Sequence, residues 1–168
     1  MKIAVLSDCH DHLENLARAL EVVRREGAER LFFLGDFCAP FSLAALADGF
    51  AGPVDAVLGN NDGDVFLLCQ VAARYPQVTL HVPLAELEVD GRKIALHHYP
   101  EIGLRLAESQ AYDAVFSGHN HRASRQQIGR TLWANPGELM GRWGRPSLGI
   151  YETGSGQLEH VLLEEVAV

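Results

Sequence analysis

Short apolar runs alternate with helix-period segments through the first half of the chain, and this alternation limits the fold more than any other feature. Lys2 to Ser7, Arg30 to Leu34 and Val54 to Leu58 read as buried strands. Between the first two, Leu13, Leu16, Ala17, Leu20 and Val23 recur at helical spacing up to Gly27, a helix stop. Ser42 is placed to cap a short helix through Leu46, and Asp64 to cap one reaching about Arg74. Strands that alternate with helices form a parallel sheet with right-handed crossovers. The second half is richer in hairpins. Leu84 to Val89 and Arg92 to Leu96 flank Asp90-Gly91, a strong turn signal. Ile102 to Gln110 predicts a further helix and Ala114 to Ser117 a strand. Two more hairpins are expected to turn near Gly129 and near Gly154-Ser155-Gly156. The expected fold class is α/β, a four-layer α/β/β/α sandwich of two mixed sheets.

The bulk properties agree with that class. The 168 residues fit one domain, expected to span 1–168, with no internal repeat, low-complexity tract or linker to divide it. With 48% hydrophobic and 21% charged residues, no apolar run reaches the length of a membrane span. The N-terminus lacks the pattern of a signal peptide, because Ile3-Ala4-Val5-Leu6 gives way at once to Ser7 and Asp8. A cytoplasmic location is expected. Cys9, Cys38 and Cys69 are widely spaced and odd in number, which predicts reduced thiols rather than a disulfide framework or a Cys-rich zinc site. A net charge of -8 argues against a long nucleic-acid groove, leaving nucleic acid only as a short substrate.

The chemistry concentrates where the strands stop. The first strand runs into Asp8-Cys9-His10, the second into Gly35-Asp36 and the third into Gly59-Asn60-Asn61-Asp62. Later strands end in His97-His98 and in Gly118-His119-Asn120-His121. In open α/β sheets the loops beyond the carboxyl ends of the strands converge on one crevice. Each motif alone reads equally well as a turn or a satisfied histidine, but a shared topological position for all five is not expected of unrelated turns. Together they supply Asp8, His10, Asp36, Asn60, His97, His119 and His121. That is more than one divalent ion commonly takes, but it suits two ions sharing a carboxylate. Mixed carboxylate, amide and imidazole ligation favours Mn²⁺, Fe²⁺, Co²⁺, Ni²⁺ or Zn²⁺ over Ca²⁺ or Mg²⁺.

The ordered set of Asp-x-His, Gly-Asp, Gly-Asn-x-Asp, a strand-end histidine and Gly-His-x-His, with Asn135-Pro136-Gly137 beyond it, resembles the calcineurin-like metallophosphoesterases, in particular their small single-domain phosphodiesterase branch. The resemblance covers almost the whole chain. It implies the four-layer sandwich, with Asp8, His10 and His121 on a first metal, Asn60, His97 and His119 on a second, and Asp36 bridging them. It also implies Mn²⁺ or Ni²⁺ as favoured cofactors and hydrolysis of a small phosphodiester by a hydroxide held between the ions. Asp62 is expected to fix the loop or orient a ligand histidine.

Two departures bear on mechanism. Many relatives carry His where this chain has Asn61, and an amide is no useful general acid. Substrates with leaving groups of low pKa are therefore expected, unless His98, His12 or solvent supplies the proton; the Asn61 amide is left to steady substrate oxygens. The family also often has Gly after the ligand histidine, where His98 stands here, followed by Tyr99 and Pro100. Cys9 is expected to point into packing, and Glu164-Glu165 to lie on a solvated face. Trp133 and Trp143 mark the rim of the site, the surface of a homo-oligomer, or core. The rival function is a non-catalytic interaction scaffold of the same fold, like the related retromer subunit, with a phosphomonoesterase as a further alternative.

Overall fold

The computed structural model describes residues 1–163. In chain order the elements are β1 (Lys2–Leu6), α1 (Leu13–Glu26), β2 (Arg30–Phe33), α2 (Pro40–Gly49), β3 (Val54–Val57), α3 (Val65–Ala72), β4 (Val78–His81), β5 (Ala85–Val89), β6 (Arg92–Leu96), α4 (Pro100–Glu108), β7 (Ala114–Phe116), β8 (Ser124–Ile128), β9 (Thr131–Asn135), β10 (Ser147–Glu152) and β11 (Gln157–Leu162). The pair Glu164-Glu165 lies outside the described residues.

Strands β1 to β4 pair in parallel, and β10 and β11 extend that sheet antiparallel beyond β1, giving the order β11-β10-β1-β2-β3-β4. The second sheet, β5-β6-β7-β9-β8, is also mixed: β6, β7 and β9 run parallel while β5 and β8 are antiparallel at its edges. Side-chain parity explains the layers. Ile3 and Val5 join Phe32, Leu34 and Val57 between the sheets, where Ile94, Leu96, Phe116 and Leu132 meet them. Ala4, Leu6, Leu31 and Phe33 face the opposite way, onto Leu16, Leu43, Leu46 and Leu68 of α1, α2 and α3. On the far side Ala95 and Val115 pack against Ala107 of α4. Burial on both faces is why these strands read as unbroken apolar runs. The expected four-layer sandwich is what the chain adopts.

The departures are local. Gly27 ends α1 in the left-handed conformation (φ 70°), and Asp64 caps α3 by accepting from the Leu67 N–H at 2.9 Å, both as predicted. Ser42, by contrast, lies inside α2, which starts at Pro40. Asp11 serves the start of that helix from another loop: its Oδ1 accepts from the Ala39 N–H (2.9 Å) and the Ser42 hydroxyl (2.6 Å). A cap delivered from so far along the chain leaves no local signature. Helix α4 begins at Pro100, whose fixed φ suits a first helical position. Strand β4 was not among the expected elements; its partly exposed residues pair with β3 at the edge of the sheet.

Phe116 is fully buried between the sheets, with its ring centroid 5.2 Å from Tyr151 and 6.1 Å from Phe32. Phe116→Ala is expected to cost about 3–5 kcal/mol of stability, read as a lower urea midpoint with an unchanged far-UV spectrum.

Candidate metal centre

Parallel strands bring their following loops to one edge, and the polar clusters meet there. The backbone at that edge is costly. Of the nine non-glycine residues with positive φ among the described residues, seven are Asp8, His10, Asp11, Asp36, Cys38, His119 and His121; the other two, Asp90 and Gln110, lie elsewhere. Non-glycine residues in this region store strain and persist only where the surroundings hold them. The motif glycines have a steric reason. A Cβ on Gly59 would stand 2.7 Å from the Asp36 nitrogen and from His98 Cε1, and one on Gly118 would stand 2.8 Å from Asp8 Oδ2.

Two clusters result. Asp8, His10 and His121 offer donor atoms all within 4.8 Å of one another, and Asp36, His98 and His119 do the same. Asp36 joins them: its Oδ2 lies 3.4 Å from His10 Nε2 and 3.5 Å from His98 Nε2. Asn60 belongs to the second cluster, with Oδ1 3.1 Å from His98 Nε2. The structure thus brings Asp8, His10, Asp36, Asn60, His119 and His121 together at this edge.

His97 is the correction. Its ring is not in either cluster; its Nδ1 accepts from the Tyr99 N–H at 3.1 Å, and His98 takes the place expected for it. The reason is strand parity. Ile94 and Leu96 face the layer between the sheets while Ala95 faces α4, so residue 98, not 97, continues the inward face of β6. The same shift corrects the reading of His98 as a proton donor outside the ligand set, and puts Tyr99 at the position where relatives often have Gly.

The lone pairs fix what this edge can bind. His98 Nδ1 lies 2.7 Å from the Leu34 carbonyl oxygen, which can only accept, so Nδ1 carries a proton and Nε2 faces Asp36 and Asn60. His121 Nδ1 lies 2.6 Å from Glu138 Oε2, which turns its Nε2 toward Asp8 Oδ1 at 3.4 Å. Ser7 and the His119 N–H already occupy Asp8 Oδ2. Asp8 Oδ1 and His10 Nε2 are buried with no hydrogen-bond partner. In their neutral forms these rings therefore aim acceptors at acceptors, an arrangement relieved by protons or by cations placed between them. The electrostatics follow the same geometry. The Asp8 carboxylate raises His10 above its ordinary value, and although burial works against charge on His98, Asp36, Asp8 and the Leu34 carbonyl together raise that ring too. Burial also opposes the Asp36 charge, yet hydrogen bonds with His98 and Asn61 hold its carboxyl well below the usual range.

The remaining predicted residues surround this pair. Asn61 donates to Asp36 through its backbone N–H (2.7 Å) and its side-chain amide (2.8 Å). Asp62, buried, accepts from the N–H groups of Asp36 (3.1 Å), Cys38 (3.0 Å) and Gly59 (2.6 Å), so it ties the second strand-end loop to the third. Cys9 is fully buried in the helix-side core, where burial pushes its thiol far above the ordinary range. His12 caps α1, its Nδ1 accepting from Asn15 N–H. Glu138 was missed, although it directly follows Asn135-Pro136-Gly137. A lone Glu carries no local signal; its role rests on contact with His121, seventeen residues away.

Comparison with known proteins places this geometry in context. The family described as the calcineurin-like phosphoesterase superfamily domain matches residues 1–156. The chain is 30% identical to phosphodiesterase MJ0936 of Methanocaldococcus jannaschii, over 98% of this chain and all of that protein. A solved structure described as a novel archaeal phosphodiesterase superposes with a TM-score of 0.89 at 29% identity, covering 97% of this chain and 100% of the other. Vps29 of Entamoeba histolytica, solved with Zn²⁺, shares the fold at a TM-score of 0.63 and 16% identity, covering 98% of this chain and all of that one. Among the described residues no helix is long and apolar enough to cross a membrane.

Asp62→Ala leaves three N–H groups without their carboxylate acceptor and is expected to destabilise the protein by about 3 kcal/mol, measured by chemical denaturation of the metal-free protein.

Proposed function

Because the chain belongs to the calcineurin-like phosphoesterase superfamily, we propose that it is a binuclear metal-dependent phosphodiesterase acting on a small phosphodiester. The observation that carries this reading is the convergence of buried, unpartnered Asp8 Oδ1 and His10 Nε2 on an edge where Asp36 reaches both histidine clusters. Asp8, His10 and His121 would hold one ion, Asn60, His98 and His119 the other, and Asp36 both. The mixed oxygen and nitrogen donors suit Mn²⁺ or Ni²⁺ among the first-row ions. The chemistry such a pair supplies when bound is activation of a water at neutral pH and polarisation of the phosphoryl oxygens.

The protein's own groups do the positioning. Leu34 O and Glu138 each fix a tautomer, so that His98 and His121 present Nε2 to the site. Asp62 locks the loop bearing Asn60 and Asn61 to the loop bearing Asp36. Asn61, exposed at the edge, donates its side-chain amide to Asp36 Oδ2 at 2.8 Å and so orients that carboxylate. With Asn61 an amide and His98 a ligand, the leaving oxygen draws its proton from solvent, which favours leaving groups of low pKa.

A scaffold role competes with this, and the zinc-bound Vps29 relative means that metal uptake alone does not separate the two. Turnover does. Bis-p-nitrophenyl phosphate is expected to be hydrolysed with Mn²⁺ or Ni²⁺, faster than p-nitrophenyl phosphate, and activity is expected to vanish with chelator. No hydrolysis with either ion would leave the scaffold reading standing.

Asp36→Asn is expected to empty both sites and lower turnover by more than about 100-fold, since even the outer partners of metal ligands cost 10–100-fold. Asn61→Ala is expected to keep the metal content and lower turnover by roughly tenfold to a hundredfold. Elemental analysis beside the assay checks the pair; equal metal loss in both variants contradicts the role given to Asn61.

A further inference from the structure

We propose that Trp143, with Arg142 beside it, forms a stacking subsite that selects phosphodiesters carrying a nucleobase, so that the substrate class is a nucleotidyl ester rather than an alkyl one. The inference rests on the phosphodiesterase reading and specifies its substrate. Trp143 is 67% exposed, the more conspicuous because Trp133 is partly buried, packed against the α4 side of the second sheet with its indole N–H donated to Ser117. The exposed indole stands edge-to-face on His121, with ring centroids 4.5 Å apart at 82°. It is therefore a neighbour of a candidate ligand imidazole.

Its position is held by the group that holds that imidazole. The buried Glu138 carboxylate accepts from His121 Nδ1–H on Oε2 and from the N–H groups of Trp143 and Gly144, both at 2.7 Å, on Oε1. The loop and the ligand ring are thus fixed to one another through a single side chain. At the other cluster Tyr99 packs on His98 and His119, with centroids 5.2 and 4.9 Å away, so an aromatic ring stands at each end of the pair.

The chemistry of the rim favours a base. An exposed indole against a candidate ligand ring offers a flat face to whatever occupies this edge. The Arg142 guanidinium carbon lies 5.2 Å from the Trp143 ring centroid and both residues are exposed, in a chain whose net charge is -8. A flat ring flanked by guanidinium suits a stacked base on an anionic ester. An alkyl ester would share the attraction to the guanidinium but gain little from the ring.

Two esters sharing one leaving group test this: thymidine 5′-(p-nitrophenyl phosphate) and methyl p-nitrophenyl phosphate, assayed with Mn²⁺. The wild-type protein is expected to prefer the thymidine ester by about tenfold in kcat/KM. Trp143→Ala is expected to reduce that preference by about tenfold, and Trp143→Phe to retain most of it. Absence of a preference in the wild type, or an equal fall on both esters in Trp143→Ala, overturns the subsite while leaving the phosphodiesterase intact. Hydrolysis of neither ester sinks the phosphodiesterase instead, and AMP titration of the manganese-loaded protein then decides the subsite: quenching of indole fluorescence that disappears in Trp143→Ala supports it, and no quenching in the wild type refutes it.

Discussion

Carboxylate oxygens and imidazole nitrogens crowd together at the strand ends, and the structure around them is arranged to keep them there. Asp8 Oδ1 and His10 Nε2 are buried and unpartnered, and His121 Nε2 points at the same carboxylate from 3.4 Å. Such groups are costly to bury alone. The protein nonetheless places Asp8, His10, Asp36, His119 and His121 in left-handed backbone conformations, which add strain. The cations proposed for this edge would offset both costs.

Sheet topology makes this crowding possible. Parallel β1, β2 and β3 end side by side, and β6 and β7 of the second sheet end on the same side of the sandwich, so loops distant in sequence meet without long excursions. Glycine permits the last approach, since Gly59 and Gly118 sit where a Cβ would press on Asp36, His98 or Asp8. Outside this contact layer a ring of fixed groups sets direction: Leu34 O behind His98, Glu138 behind His121, Asp62 beneath the loops. The rim beyond them carries Tyr99 and Trp143, each against a histidine ring of the cluster.

The layers were legible because burial on both faces leaves continuous apolar runs, and the cluster because its motifs all fall at strand ends. What escaped the sequence depended on contacts between distant segments. Asp11 caps α2 from another loop, so Ser42 was credited with a role it does not have. Glu138 acquires meaning only once His121 lies against it. The choice between His97 and His98 was within reach: extending the inward parity of Ile94 and Leu96 by two residues selects His98. The ordered family motif drew attention to the first histidine of the pair, while the pleat of β6 selects the second.

The central claim is that these two clusters hold a pair of cations bridged by Asp36. Diffraction from crystals of the manganese-loaded protein, collected at the manganese edge, addresses it most directly. Two anomalous peaks about 3.5–4 Å apart, with Asp36 between them and His98 rather than His97 on the second, are predicted. No peak at this edge, a single ion that leaves Asp36 uncoordinated, or ligation through His97 would contradict the account.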